Sequence, residues 1–351
     1  MQRTGELLIE VLRQPQQLGS LSLHQWDVLL REARCLKLLA RIATKVDELG
    51  IAQQTPERVR LQLQSEQILA QRHEKLMRWE VDRLQHALRE IPGPVVLLKG
   101  AAYVMLDLPN ARGRFTSDAD LMVPEEQLPQ VEQALYAHGW EAAEFSAHEA
   151  RYYRRWLQEW PPFVHRKRRT TLDVHHNVLP RIDKLYSASA PLFASAVPLA
   201  AGSKFYTLAP VDQVLHVMIH LFRNGDFSSG LRDLTDLDDL LRHYGRDAAF
   251  WPALVARTCE LRFQTPVYFA LRYVRHYLHT PIANELRAAA EHWRPRWPST
   301  TLMDALVDRA LRPPALDGRN AGREAAQWML IRYPLCLWKK TIRPKLERLA
   351  G

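Results

Sequence analysis

Apolar residues recur at helical spacing through the first part of the chain. One apolar stripe covers Leu7–Leu12, and a second runs from Val59 to Leu88 with Gln, Arg and Glu on the opposite face. The segment Ile91–Pro94 ends this pattern, because its two prolines and its glycine do not continue a helix. Residues 1–90 are therefore predicted to form an N-terminal helical region.

The middle of the chain changes to short apolar runs with the alternation of β-strands. The runs lie near residues 95–98, 119–123, 140–145 and 171–175. A helical segment over Glu125–His138 separates the second run from the third. The pattern predicts an α+β fold, with a small mixed-sheet core over 91–200 and a C-terminal helical domain over 201–351, where helical spacing returns.

Two aspartates stand one residue apart at the head of the second run. Asp118 and Asp120 would project from one face of a strand, because alternate residues of a strand share a face. Adjacent carboxylates repel each other unless a cation lies between them, and Mg²⁺ is a usual cation in all-oxygen sites. The pair is interpreted as a metal clamp, with a chance pair in a solvated loop as the alternative. Without a metal, replacing either residue by Asn is expected to preserve or slightly raise stability.

Two further segments carry groups that suit the same chemistry. The first run ends in Lys99 and Gly100, and a helix-like segment follows from Ala101, where free backbone N–H groups and the helix dipole favour a phosphate. The last run brings a third carboxylate, Asp173, onto the same strand face as His175. Three carboxylates on strands and a glycine turn are the groups that phosphoryl transfer with two metal ions requires.

The order of these motifs resembles the uncharacterised nucleotidyltransferase family of the DNA polymerase β-like superfamily. The resemblance covers roughly residues 90–245, and the matching positions are Lys99, Gly100, Arg114, Asp118, Asp120, Asp173 and His175, and more loosely His220 and Asp236. It implies a polymerase β-like nucleotidyltransferase core flanked by N- and C-terminal helical regions. The chain departs from the superfamily pattern at Ala101, where a hydroxyl or a second glycine is common, and in its longer spacing from Gly100 to Asp118.

The resemblance implies that the protein moves an NMP from an NTP to an acceptor hydroxyl, with ATP as the expected nucleotide. Asp118 and Asp120 would hold two Mg²⁺ ions, and Asp173 would complete the shell of the second ion. The residues expected to bind the nucleotide are Lys99, Gly100, Ala101, Arg114, Ser117 and His175. For Arg114 a structural ion pair with the Asp pair stays open, and for His175 a place in the site wall stays open.

The acceptor is left open among a small molecule, a protein side chain and RNA. The net charge of +9 is concentrated at 151–184 and 294–351, and basic surface beside a carboxylate site suits an anionic substrate. A solvated basic face is the alternative, and no RNA-binding motif with stacked aromatic residues is evident. Two other functions compete: a catalytically inactive nucleotide-binding or partner-binding protein of the same fold, and a toxin or processing enzyme that modifies RNA ends.

Cysteine content and hydropathy predict a cytoplasmic protein. The three cysteines are odd in number and widely spaced, which argues against a disulfide framework. No run of about 18 apolar residues exists, so no transmembrane segment is expected. Met1–Glu10 has no signal-peptide core. The aromatic and basic run Trp328–Leu349 is expected to dock on the core, with peripheral contact to a membrane or to nucleic acid as the alternative.

Overall fold

The structure is a computed structural model that describes residues 6–116, 118–143, 154–223, 227, 229–295, 299–313 and 322–327. Its elements follow the predicted order of helices, then strands, then helices, so the α+β class is confirmed. The helices are α1 (Glu6–Arg13), α2 (Leu23–Cys35), α3 (Leu39–Glu48), α4 (Glu57–Ala87), α5 (Lys99–Met105), α6 (Leu128–Ala137), α7 (Ala190–Ala194), α8 (Pro210–Arg223), α9 (Gly230–Tyr244), α10 (Phe250–Glu260), α11 (Gln264–Leu278), α12 (Asn284–His292) and α13 (Ser299–Leu311). The strands are β1 (Val95–Leu98), β2 (Asp118–Met122), β3 (Trp140–Ala142), β4 (Phe163–His165), β5 (Thr171–His175), β6 (Val197–Pro198) and β7 (Phe205–Thr207).

Within the described residues, seven strands form one mixed sheet in the order β3-β4-β5-β2-β1-β7-β6. At its centre β1 pairs with β2 antiparallel, and β2 pairs with β5 parallel. All four residues of Val95–Leu98 are buried, which is typical of a central strand covered on both faces. The continuous apolar run of β1 and the alternating run of β5 therefore became the strands that the sequence predicts.

Three strands were not predicted, namely β4, β6 and β7. Each has only two or three residues, too few to show a period of two along the chain. They exist because they pair with neighbours, as Phe205–Thr207 does with β1 in parallel register. The sheet consequently extends past residue 200, the predicted end of the core. The third predicted run, 140–145, forms β3 over Trp140–Ala142, and its residues from 144 onward lie outside the described part of the chain.

Contacts divide the chain into two compact units. The sheet unit comprises Ile68–His216, and the helical unit combines the described residues of 1–67 and 217–351. Both boundaries fall inside helices, in α4 and in α8. These units are sets of residues in mutual contact, and the three-part division into domains stays a prediction about independent folding.

The described part of the helical unit has an apolar core and a buried network of charges. Arg41 on α3 donates a hydrogen bond of 2.7 Å to Asp236 on α9 and also pairs with Asp239. Buried charges are tolerated when they are paired in this way. His220 lies 3.6 Å from Asp233 in the same unit. The two looser positions of the family resemblance, His220 and Asp236, thus belong to the helical unit, outside the unit that holds the sheet.

The described residues bear on both the membrane and the redox expectations. None of the described helices combines the length and the apolar character needed to cross a membrane. Cys35 and Cys259 carry free thiols. Cys336 and the run Trp328–Leu349 lie outside the described residues.

Candidate active site

The pairing of β2 with β5 brings the predicted carboxylates together at the sheet. Asp120 and Asp173 are direct partners in the parallel register, and Asp118 lies two residues before Asp120 on the same strand face. The negative charge of Asp118 is close enough to contribute to the raised pKa of Asp173. The structure therefore places all three aspartates on the adjacent strands β2 and β5, and their convergence on shared metal ions stays a prediction.

Asp120 is buried and accepts hydrogen bonds from two side chains at the same oxygen. The ammonium of Lys99 lies 2.7 Å from Asp120 Oδ1, and His175 Nε2 lies 3.1 Å from it. Burial by itself would raise the pKa of Asp120, but the charge of Lys99 and the hydrogen bond from His175 hold that pKa well below its ordinary value. Burial likewise disfavours the charged form of Lys99, and Asp120 outweighs it so that the pKa of Lys99 is raised. This ion pair reverses the expectation that Asp120→Asn would preserve or raise stability.

Repulsion from the charge of Asp120 disfavours the charged form of Asp173. Burial and the negative charge of Asp120 raise its pKa to about 7. Its Oδ1 atom is buried and has no hydrogen-bond partner among the described residues. A buried polar atom without a partner is uncommon in folded proteins and calls for a ligand or another explanation. A divalent cation shared with Asp120 would satisfy this oxygen and remove the repulsion, so these residues fit a metal.

A metal ion at this site would be held by a small number of carboxylates. Within the described ranges, no three His, Cys, Asp or Glu side chains are placed so that they could hold a metal ion on their own. Mg²⁺ is commonly held by one or two carboxylates together with substrate phosphates, which requires fewer protein ligands. The assignment of two Mg²⁺ ions to Asp118, Asp120 and Asp173 stays a prediction.

The chain turns at Lys99, the first residue of α5, and its backbone there is strained. Lys99 has a φ angle of +44°, in the left-handed region that non-glycine residues seldom adopt. Strand β1 ends at Leu98, and its register places Leu98 opposite Asp120. The next residue in the chain therefore begins beside Asp120, and the turn directs its ammonium to that carboxylate. The predicted strand, turn and helix are present, whereas the role of Lys99 in holding a phosphate stays a prediction.

Two side chains approach the backbone of Gly100 closely. A Cβ atom at this position would lie 2.5 Å from Arg114 Nη1 and 2.5 Å from Thr116 Cγ2. Arg114 donates a hydrogen bond of 3.1 Å to Thr116 Oγ1, and its guanidinium lies 5.6 Å from the centre of the Tyr103 ring. These contacts fix Arg114 beside the turn. Its role at a phosphate stays a prediction.

The two other residues that were predicted to bind the nucleotide are Ala101 and Ser117. Ala101 is buried in α5, one residue after the glycine. Ser117 lies outside the described residues. Nothing in the sheet unit therefore tests either assignment.

Glu159 is a further carboxylate of the site that the sequence pattern did not reveal. It forms an isolated antiparallel bridge with His175, and its Oε2 lies 3.3 Å from His175 Nδ1. Since Nε2 of the same ring faces Asp120, the imidazole links two carboxylates. Glu159 also raises the pKa values of Lys99 and Asp173 by its negative charge. No local pattern marks Glu159, because a tertiary bridge places it in the site.

Comparison with known proteins gives one match. A family model described as "Uncharacterised nucleotidyltransferase" matches residues 22–279, a span that contains the whole sheet and most of the described helices. No curated protein and no solved structure matches the chain.

Proposed function

The chain belongs to the uncharacterised nucleotidyltransferase family, and we propose that it transfers an NMP from an NTP, with ATP as the first nucleotide to test, to an acceptor hydroxyl in a Mg²⁺-dependent reaction. One observation carries the proposal beyond the family assignment. Asp120 and Asp173 are paired across β2 and β5, and the buried Oδ1 of Asp173 has no partner among the described residues. Carboxylates in this state fit a cation, and cation-assisted phosphoryl transfer needs them on rigid elements.

The proposed metal ligands are Asp120 and Asp173, with Asp118 as the third. When bound, Mg²⁺ supplies positive charge to the phosphates and lowers the pKa of the acceptor hydroxyl. Asp173, whose pKa is about 7, gives up its proton when it becomes a ligand, so binding releases protons below neutral pH. The parallel register of the strands keeps the two carboxylates at a fixed spacing.

Lys99 is proposed to bind a phosphate oxygen of the nucleotide. Its ammonium has three donor hydrogens and uses one on Asp120 Oδ1, so it can donate to an anion while it remains paired with Asp120. The glycine that follows allows Arg114 to approach the same turn, which adds a second cation with a planar fork of donors. Together they provide the charge that a triphosphate requires.

Glu159 and His175 are proposed to position Asp120. The hydrogen bond from His175 Nε2 and the bond from Lys99 converge on Oδ1, which leaves the orientation of the carboxylate fixed from two sides. Glu159 restrains the imidazole from its other nitrogen. The chain Glu159–His175–Asp120 therefore acts as a positioning device for a metal ligand, in the way that hydrogen-bonded outer residues orient ligands elsewhere.

Incubation of the protein with each labelled NTP, Mg²⁺ and a cell lysate tests the activity. Label that moves to RNA, to protein or to small molecules identifies the acceptor class. Asp173→Asn is expected to abolish the transfer, whereas Asp82→Asn, at an exposed carboxylate on α4, is the matched control and should keep it. Transfer that survives in Asp173→Asn would remove this residue from the reaction.

A catalytically inactive nucleotide-binding protein of the same fold is the second candidate. It is favoured by the position of Lys99, whose ammonium lies on the Asp120 oxygen that a metal would share. The two functions differ in a measurable way. Nucleotide binding without transfer to any lysate fraction, and without dependence on Mg²⁺, supports the inactive protein, whereas product formation excludes it.

A further inference from the structure

A cavity of about 490 Å³ lies among three helices of the helical unit. Helix α11 contributes a stripe that includes Tyr268, Leu271 and Arg275, at the spacing of successive helical turns. Helix α12 contributes Arg287 and Glu291 in the same way. The size is that of a small-molecule site, since such pockets usually occupy about 300–1,000 Å³. No role in the proposed transfer reaction uses this cavity.

Two carboxylates in the cavity wall already have partners. Asp304 on α13 accepts two hydrogen bonds from Arg272, at 2.8 and 2.6 Å, and one of 3.0 Å from the Tyr273 hydroxyl. The hydrogen bond from Arg272 holds the pKa of Asp304 below its ordinary value. Burial and the adjacent Asp304 raise the pKa of Tyr273, so its hydroxyl stays protonated and continues to donate. This part of the wall is electrically balanced.

The second carboxylate follows the same arrangement. Asp308 lies one turn after Asp304 on α13 and accepts hydrogen bonds of 3.0 and 2.8 Å from Arg312. The Tyr277 hydroxyl lies 3.3 Å from Asp308 Oδ1. Each acid is thus matched by one guanidinium and one phenol. The guanidinium partners of Asp304 and Asp308 offset their negative charges, so these two carboxylates repel an anionic ligand only weakly.

Two guanidinium groups in the lining have no such match. Among the residues that the structure describes, Arg275 on α11 and Arg287 on α12 form no side-chain hydrogen bond and no ion pair. His276 lies beside Arg275 and adds a ring that can donate. Glu291 lies one turn after Arg287 and carries a negative charge. The lining groups without such a partner in the described part of the chain are therefore two guanidinium groups, one imidazole and one carboxylate. When Arg312, the partner of Asp308, is counted with the lining, four guanidinium groups face three carboxylates, an excess of one positive charge.

We propose that this cavity binds a small phosphorylated molecule, with the phosphate held between Arg275 and Arg287. Planar guanidinium groups match phosphate oxygens with two parallel hydrogen bonds, and two of them on different helices can neutralise a dianion. Tyr268, Leu271 and Ile282 provide an apolar wall for the remainder of the ligand. The inference is independent of the transfer reaction, because these residues belong to the helical unit and the three aspartates to the sheet unit.

Calorimetric titration of the full chain in EDTA tests the proposal, with inorganic phosphate, phenyl phosphate and benzoate as probes. EDTA removes metal-dependent binding of phosphate at the aspartates. Phenyl phosphate is expected to bind more tightly than inorganic phosphate, because only it can use the apolar wall, and benzoate is expected to bind more weakly than phenyl phosphate. Arg275→Gln and Arg287→Gln should each weaken phenyl phosphate binding by about tenfold or more, as expected for the loss of a charge-assisted contact.

Arg309→Gln is the matched control, because Arg309 is exposed on α13 and does not line the cavity. All three arginines are exposed, so their replacement should leave the fold intact, which circular dichroism checks. Hydrogen exchange should show protection by phenyl phosphate in α11 and α12. Equal binding by the cavity variants and the control, or no binding at millimolar probe, would overturn the proposal. A short RNA that binds far more tightly through the same two arginines would replace the small molecule with a nucleic acid.

Discussion

Asp120 and Asp173 lie opposite each other on the parallel strands β2 and β5, yet their charges have opposite energetic effects. Burial opposes the charge of Asp120, but Lys99 and His175 outweigh burial and hold its pKa far below the ordinary value. For Asp173, burial and the charge of Asp120 outweigh the opposing effect of His175 and raise its pKa to about 7. The negative charge of Asp120 is thus stabilised by its neighbours in the protein, whereas that of Asp173 is disfavoured.

This relationship predicts opposite effects of two Asp→Asn replacements on stability in EDTA. Asp120→Asn is expected to destabilise the protein by on the order of 2 kcal/mol or more, because the mostly buried ammonium of Lys99 loses its counter-charge. Asp173→Asn is expected to stabilise the protein at pH 8, because it removes a negative charge that burial and Asp120 disfavour. Urea unfolding measures both free energies. Equal effects of the two replacements would show that the protein does not distinguish these carboxylates.

The raised pKa of Asp173 also predicts a pH dependence of stability. Its folded-state pKa of about 7 lies above the ordinary value of 3.8, so the folded protein binds more protons than the unfolded chain. Stability from this group is therefore lost as pH rises from about 4 to 7, and the penalty stays constant above that. The difference between pH 4 and pH 8 should be on the order of 1–4 kcal/mol in EDTA.

Comparison of wild type with Asp173→Asn isolates this contribution from other titrating groups. The variant should have a flatter profile of unfolding free energy between pH 4 and 8, and Asp82→Asn should match wild type. Mg²⁺ added at pH 8 should stabilise wild type and not Asp173→Asn, because a ligand that binds only the folded state raises its stability. Parallel profiles of wild type and Asp173→Asn would contradict a raised pKa.

Lys99 is predicted to discriminate nucleotides from nucleosides. Lys99→Ala should weaken NTP binding by about tenfold to a hundredfold and leave nucleoside binding nearly unchanged, because the lost attraction acts on the phosphates. Calorimetry with ATP and adenosine in Mg²⁺ measures this. Lys99→Arg keeps the charge next to Asp120 and is the control for the ion pair. An equal loss for ATP and adenosine would indicate a damaged fold and no phosphate contact at Lys99.

Glu159 is predicted to affect turnover more than nucleotide binding. Glu159→Gln removes the negative charge next to His175 Nδ1, so the ring is less firmly held against Asp120. We expect kcat to fall by on the order of tenfold to a hundredfold with little change in KM for the NTP, because the loss is in orientation. The pH profile of kcat should also shift, which a structural role alone would not produce. A rise in KM at unchanged kcat would place Glu159 in substrate binding.

Local signals predicted the central strands and the three aspartates, and tertiary contacts created the rest of the site. The run Val95–Leu98 and the alternation around Asp173 are properties of a few consecutive residues. The Lys99–Asp120 ion pair depends on the antiparallel register of β1 and β2, which no local pattern encodes. Glu159 enters through a single bridge to His175. The sequence therefore predicted three aspartates as the candidate ligands, and only the structure showed that Asp120 and Asp173 differ in how their charges are stabilised.

Gly100 provides the last test, because a side chain at this position would crowd two neighbouring side chains. A Cβ atom there would lie 2.5 Å from both Arg114 Nη1 and Thr116 Cγ2, closer than side-chain carbons approach other heavy atoms. Gly100→Ala is therefore expected to displace Arg114 or the turn, at a cost of about 1–3 kcal/mol in unfolding free energy. If the turn holds the triphosphate, NTP affinity should also fall.

Gly322→Ala is the matched control, because a Cβ at Gly322 would meet no atom within 4 Å. This control should keep wild-type stability and NTP affinity. A third variant separates packing from charge: Arg114→Gln in the Gly100→Ala background relieves part of the crowding. If that double variant regains stability but not NTP affinity, Arg114 contributes to nucleotide binding. If it regains both, the guanidinium is only a packing partner of the turn, and the triphosphate is held by Lys99 without it.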